Sequence, residues 1–333
     1  MSKDNVNFKG ANVLVTGGAG CIGSHLTQKL CEMGANVTIF DNMMRGEEAF
    51  RNLREVFETC QPSLVVGDIL DFEKVMEVFK SNLDFVYHLA ALPSHRLALE
   101  RPRDYAMIDV IGTVNILEAA RLSKTTPTIV FASSNKVYGK QKPPFREEFE
   151  PIPEGPYGQA KISAEEWCMQ YSKYYGLNTP VIRYHHVLGP RTQPDREISI
   201  FTERILNGLS PIVHGKFENK KFISCAADYT DVSDAVNGTL LSTKVKGFDV
   251  FNLATGKMTT VEDIAKLVMK FLGKKVPIEH KELLSHESLV HLSDVSKAKR
   301  ILGFTAKVPV EQSVKNYVEW RLKTGPRKLA VYK

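Results

Sequence analysis

The 333-residue chain is short of several things, and each shortage closes off a class of function. It has five cysteines (Cys21, Cys31, Cys60, Cys168 and Cys225), an odd number with no CxxC pair. That pattern excludes a disulfide framework and a cysteine zinc site, so no metal is expected, and reduced thiols suit the cytoplasm. No apolar run approaches the ~18 residues of a membrane span. The N-terminal MSKDNVNFKG is polar and unlike a signal peptide. Internal repeats and low-complexity stretches are missing too. Dense Lys/Arg clusters are absent, and part of the formal charge of +6 sits in the tail RLKTGPRKLAVYK. Neither a nucleic acid nor a membrane is therefore an expected partner, whereas an anionic small substrate suits the charge.

What is present is an ordinary globular composition, 43% hydrophobic and 25% charged. Short apolar runs alternate with segments of helical period. Residues 13–16, 36–40, 63–68, 84–90, 128–134 and 180–187 read as strands. Helical spacing covers 22–33, with Gly34 as a stop, and DFEKVMEVFK puts Phe72, Val75, Met76 and Phe79 on one face. A further helix is expected around 105–121. Continuous apolar strands alternating with helices predict an α/β fold, a doubly wound parallel sheet covered on both faces. Residues 1–185 form the expected dinucleotide-binding domain. Past Gly189 the pattern becomes irregular, so 186–333 reads as mainly a smaller, interleaved substrate lobe. Later strands return to the sheet around 225–254, among them DVFNLA at 249–254. Helices are expected at 198–206 and 261–272.

The stretch TGGAGCIG lies where the first strand gives way to a helix. Its spacing, Gly17-x-x-Gly20-x-x-Gly23, permits a tight turn and lets the backbone approach a diphosphate at a helix N-terminus. Cys21 and Ile22 lie inside that turn; for Cys21, packing is expected rather than thiol chemistry. Asp41 ends the second strand, 24 residues after Gly17, where a carboxylate can bind the adenosine ribose hydroxyls. It would repel a 2′-phosphate, which favours NAD over NADP, although Arg45 follows closely. Asp68 and Ile69 end the third strand, beside the expected adenine.

Tyr157 and Lys161 are four residues apart in a segment of helical period, so they share a face. The strand end ASSNKVYG precedes them by about 23 residues. A free tyrosine has a pKa near 10, too high for a base at neutral pH. A lysine ammonium and an oxidised nicotinamide nearby would stabilise the phenolate. A drop of roughly 3 units corresponds to about 4 kcal/mol. The phenolate could then remove a hydroxyl proton while the carbon's hydride leaves to NAD⁺, with Ser134 holding the same oxygen. Ser133 is expected to be structural.

Taken with VLVTGGAGCIGSHL, DNMMRG, GDIL, YHLAAL, GTVNILEAA, PYGQAK, IRYHHVLGPR and LSDVSKAKRILGF, these residues resemble the extended short-chain dehydrogenase/reductase superfamily. The likeness is to its NAD-dependent nucleotide-sugar epimerases and dehydratases, of the UDP-glucose 4-epimerase type, and spans nearly the whole chain. It implies Tyr157 as base, with Lys161 and Ser134 assisting. The cofactor contacts it implies are Gly17, Gly20, Cys21, Ile22, Gly23, Asp41, Asn42, Arg45, Gly46, Asp68, Ile69, Leu89, Ala90, Ala91, Tyr157, Lys161 and His185. Substrate contacts would be Ser94, Ser134, Tyr157 and His186. A homodimer built from the helices around 105–121 and 157–175 is also implied.

Three departures bear on the reaction. Family dehydratases carry Asp-Glu after the catalytic Ser/Thr; here Asn135 and Lys136 stand there, which disfavours 4,6-dehydration. His186 replaces the usual substrate-binding Asn. Both family diphosphate-clamping arginines are missing, one aligning with Ala227, and Lys216, Lys220 and Lys221 are the expected replacements. The leading expectation is C4 epimerisation of a nucleotide sugar by transient oxidation. The alternatives are a net NAD-dependent dehydrogenase or reductase on a small hydroxy compound, a sugar 2-epimerase, and a nucleotide-sensing scaffold without turnover.

Overall fold

The structure, a computed structural model, describes residues 6–283 and 288–327. Its frame is a seven-stranded parallel sheet in the order β3-β2-β1-β4-β5-β6-β12. The strands are β1 (Asn12–Thr16), β2 (Asn36–Asp41), β3 (Ser63–Val66), β4 (Phe85–His88), β5 (Thr128–Ser134), β6 (Thr179–Tyr184) and β12 (Phe248–Leu253). Each neighbouring pair is parallel, Val13 opposite Val37 on one side of β1 and opposite Phe85 on the other. The strand order reverses between β1 and β4, and ligands of such sheets bind at the carboxyl ends beside that reversal.

The helices follow from the alternation. On one face lie α3 (Phe72–Phe79), α6 (Gly112–Leu122) and α7 (Gly155–Tyr175). There Leu14, Phe40, Val86, Ile129 and Phe131 of the strands meet Val75, Phe79, Ile116, Leu117, Ala164 and Cys168. On the other face lie α1 (Cys21–Glu32), α9 (Val232–Ser242) and α11 (Ser296–Leu302). These pack Leu26, Leu30, Ala235, Val236 and Leu302 on Val13, Val15, Tyr87, Val130, Ile182 and Phe251. Val13 and Val15 thus face opposite to Leu14, as the pleat requires. Each fully buried side chain of this size contributes about 1.5–3 kcal/mol.

The remaining elements complete the chain. α2 (Glu47–Thr59) links β2 to β3, and α4 (His95–Glu100) and α5 (Pro102–Tyr105) follow β4. The helix expected around 105–121 starts earlier, at α5, and passes through a π-helical turn over Ala106–Ile111 before α6. A π turn shifts the register by one residue and often marks a functional position.

The second core is built from α8 (Glu197–Leu206), α10 (Val261–Leu272) and α12 (Val310–Thr324). Phe201, Ile205, Ile264, Val268, Tyr317 and Val318 fill it. α10 runs as its period predicts. Thr260 caps it by accepting from the Asp263 N–H, and Gly273 ends it at φ +61°. Short sheets flank this lobe: β7 (His186–Leu188) with β11 (Tyr229–Asp231), and β10 (Ala226–Ala227) with β13 (Thr259–Thr260) and β15 (Val290–His291). A third holds β8 (Ile212–Glu218), β9 (Lys221–Ser224) and β14 (Glu279–Glu282). Of the strands between 225 and 254, β12 joins the large sheet and β10 and β11 stay in the short ones.

Candidate active site

The glycine turn opens the site. Gly17 sits at φ +69°, where a side chain is strained, and a Cβ there would lie 2.6 Å from the Ala90 nitrogen. A Cβ on Gly23 would meet the Gly17 carbonyl at 2.3 Å. This is a cradle in which backbone must come close, followed at once by the N-terminus of α1. The structure thus fits a dinucleotide on its own geometry. Asp41 closes the turn from the next strand, accepting from the Ala19 N–H at 3.0 Å and the Met43 N–H at 2.9 Å. The thiol of Cys21 is buried, donates to the Pro190 carbonyl at 3.7 Å and is pushed up to about 11, chiefly by burial. It stays protonated, as packing without thiol chemistry requires.

Two cavities run along the carboxyl ends of the strands. Gly17, Asp41, Asn42, Arg45, Asp68, Ile69, Leu89, Ala90 and Ala91 all line the first. Asn42 donates to Asp68 at 2.9 Å, which links the ends of β2 and β3. Gly46 has φ +52° and caps α2 without lining either cavity. The second cavity joins Gly20, Cys21, Ile22 and Gly23 to Ser134, Tyr157, Lys161, His185 and His186.

Tyr157 and Lys161 stand in the first two turns of α7, both buried. Lys161 Nζ lies 5.9 Å from the Tyr157 ring centroid and 5.1 Å from that of Phe131. Ser134 ends β5 and accepts from the Lys136 N–H at 3.2 Å. Ser133 donates instead to Glu165, which forms a buried ion pair with Arg183 at 2.7 Å. That is the structural part expected for it. Underneath, Thr16 Oγ1 and Thr113 Oγ1 hold the two nitrogens of His88 at 2.7 and 3.1 Å. Burial and then the Lys161 charge lower His88 to about 3, so it is a neutral strut.

His185 is buried, hydrogen-bonded to Ser293, and lowered to about 3 by burial and then by His186. His186 lies 3.5 Å from Glu197 at the start of α8. Despite the burial that raises it, Glu197 is held at about 2 by His186. Ser94 stands immediately before α4. Its hydroxyl caps α4, while its neighbours Pro93 and His95 line the cavity. Lys216, Lys220 and Lys221 are exposed on the β8–β9 hairpin, and Lys216 lines a separate cavity with Lys140 and Lys142. None of the three lines either groove cavity.

The profile of GDP-mannose 4,6 dehydratase matches residues 14–317. The chain belongs to that family. A UDP-glucuronate 4-epimerase of Thermodesulfobacterium geofontis is 30% identical, over 92% of this chain and 95% of its own. Among solved structures, a UDP-glucose 4-epimerase from Thermotoga maritima with UDP-glucose superposes at TM-score 0.83. It is 34% identical and covers 94% of this chain and 99% of its own. A UDP-glucuronic acid 4-epimerase from Bacillus cereus, in complex with UDP-glucuronic acid and NAD, superposes at 0.84, with 26% identity and 93% and 98% coverage. Family membership accounts for the doubly wound sheet and the glycine cradle in one step. NAD is the cofactor found in several such neighbours.

Several lining residues carry no sequence signal of their own. Thr192, Gln193, Arg196 and Glu197 follow the GPR of the family pattern in an irregular stretch, and Tyr229 comes from a three-residue strand. Arg196 is the cation that the structure brings into the groove from this stretch. Its guanidinium donates to the Pro93 carbonyl at 3.1 Å and to Gln193 at 3.2 Å. Among the described residues no cluster of three or more metal-ligating side chains occurs, and no helix is long and apolar enough to cross a membrane.

Proposed function

We propose that the protein inverts the C4 centre of a nucleotide sugar by NAD-dependent transient oxidation, with a UDP-linked hexose or hexuronate as substrate. One observation carries the reading. Ser134, Tyr157 and Lys161 converge on the wall of a groove that runs from the glycine cradle to a polar chamber lined by His186, Glu197 and Tyr229. NAD⁺, when bound, supplies the acceptor and later the donor of the C4 hydride. Held by the glycine turn, Asp41 and Lys161, it would lie with its reactive end toward Tyr157. The Tyr157 phenolate takes the C4 hydroxyl proton, and Lys161 stabilises the phenolate by charge. Ser134 hydrogen-bonds the same oxygen and keeps it in line. The resulting ketone turns over in the chamber, and Tyr157 returns the proton when the opposite face is reduced.

Asn135 and Lys136 line the chamber where dehydratases of the family carry acids. An amide and an ammonium cannot supply the carboxylic acid that expels a C6 hydroxyl, which supports epimerisation over dehydration. The similar 4-epimerases described above support the same choice. α7 and the adjoining π turn leave Trp167, Met169, Tyr174, Tyr175, Met107 and Ile111 exposed. Such apolar helix surface supports the homodimer.

Incubation with UDP-glucuronate or UDP-glucose deuterated at C4, followed by NMR, tests the assignment. The expected product is the C4 epimer with the label retained at C4. Label lost to solvent, or NADH accumulating with product, would overturn it in favour of net redox chemistry.

A further inference from the structure

The segment 189–196 crosses the groove where its two cavities meet. Gln193 and Pro93 line both cavities, so the two loops that carry them face each other over the middle of the dinucleotide site. Arg196 ties them together through the Pro93 carbonyl. Farther back, the segment is fastened to both helices that flank the adenosine side. Buried Arg191 donates to Glu55 of α2 and Gln28 of α1, each at 3.0 Å. The Pro190 carbonyl receives the Cys21 thiol from the glycine turn. Arg191 also holds φ +62°, which a side chain adopts only when its surroundings enforce it.

A third fastening comes from the far end of the described chain. Arg327 is buried, donates to the Thr192 carbonyl and pairs with Glu48 of α2. Its guanidinium lies 5.1 Å from the Trp320 ring centroid, and the Trp320 indole N–H donates to Glu55 at 2.7 Å. One arginine after the last helix thus joins the segment to the helix that follows the adenosine-binding loop.

We propose that segment 189–196 is a clasp over the middle of the bound dinucleotide, fastened by Arg191 and Arg327, that retains the cofactor between the two hydride transfers. The proposal rests on NAD as the cofactor. Arg191 and Arg327 are positioning residues, acting through the segment and not on the reacting atoms. A dinucleotide leaving the groove must part segment 189–196 from the Pro93 loop, to which Arg196 joins it, and the fastenings oppose that opening. Epimerisation needs the same cofactor twice in one turnover, so retention serves it; a net dehydrogenase would be slowed by it.

The test uses the full-length protein and no sugar. NADH is bound, then chased with excess NAD⁺, and its dissociation is followed by fluorescence. Arg327→Ala is expected to raise the dissociation rate at least tenfold, with Arg327→Lys recovering part of the loss. Glu48→Gln should shift the rate the same way by a smaller factor, and Lys29→Ala, on the exposed side of α1, should not. In turnover, Arg327→Ala should keep kcat at saturating NAD but lose activity on dilution without added NAD. An unchanged NADH dissociation rate in a folded Arg327→Ala protein overturns the clasp. Should that variant fail to fold, an unchanged rate in Glu48→Gln overturns it. A parent protein that binds no NADH would refute the cofactor assignment, a separate failure.

Discussion

Lys161 and Asp109 face each other 4.0 Å apart, both side chains all but sealed from solvent. Asp109 comes from the π turn, and its Oδ1 accepts from the Leu92 N–H while Oδ2 has no hydrogen-bond partner. Burial raises its pKa and the Lys161 charge opposes the rise. The lysine that supports the proposed base therefore shares its charge with a buried carboxyl from behind, a partner the Tyr/Lys spacing does not announce.

Removing that carboxyl strengthens the field Lys161 exerts on Tyr157. Asp109→Asn is expected to alter the pH–rate profile, because the raised carboxyl that titrates beside Lys161 is gone. Because the folded pKa of Asp109 is raised, its stabilising contribution is complete below the ordinary carboxylate range and is lost as pH rises through the folded value. Thermal melts of parent and Asn variant should diverge in that window. A superimposable pH–rate profile would show that Asp109 does not modulate the base.

Tyr157→Phe removes the proton acceptor and keeps the ring that packs edge-on against Tyr105. Turnover should fall by about 10²–10⁴-fold. Calorimetric titration should show NAD binding within about twofold of the parent, well under 1 kcal/mol. Retained turnover would remove Tyr157 from the base role.

Asp41 is expected to set the cofactor choice. Asp41→Ala should weaken NAD by about tenfold, the loss of one charge-assisted hydrogen-bond pair, and narrow its margin over NADP. Competition titrations of the two dinucleotides check this. Equal discrimination in parent and variant would leave Asp41 a purely structural residue of the glycine turn.

Acid should unfold the protein early. His25, His88 and His185 are each lowered to about 3, in every case mainly by burial. Below the ordinary histidine value near 6.5 the unfolded chain binds protons that the folded chain refuses. Stability is thus full above that value and falls as pH drops toward 3. Melting temperatures between pH 7.5 and 4.5 should decline steeply, and less steeply in His25→Gln, whose ring lies apart from the reacting groups. A flat profile would contradict neutral buried imidazoles.

Exposed Trp167 and Tyr174 on α7 are expected to lie in a subunit interface. Trp167→Glu should shift the mass measured by light scattering from dimer toward monomer at micromolar concentration. A parent that is monomeric throughout would dispose of the dimer.

The sheet was legible because its signals are local. Leu14 alternates with Val13 and Val15, Gly17 needs its positive φ whatever surrounds it, and Val261–Leu272 carries its own cap and stop. The helix expected from 105 was legible in extent but not in its π turn, since a one-residue register shift leaves the apolar period nearly intact. Ser94 carries a local signal as well: a serine before a short helix caps it, and its hydroxyl accepts from the Leu97 N–H.

Sequence by itself determined the α/β class, the glycine cradle, the Ser134–Tyr157–Lys161 set and the family, because each depends on residues close in the chain or on patterns of fixed spacing. Tertiary structure alone decided that Asp109 backs Lys161, that Arg196 enters the groove while the hairpin lysines stay outside it, and that Arg327 reaches back to Glu48. Those contacts join residues from 52 positions apart, for Lys161 and Asp109, to 279, for Arg327 and Glu48. Their cause is mutual burial of charge: each group leaves water only where folding brings it a partner, and no local period records where that partner lies.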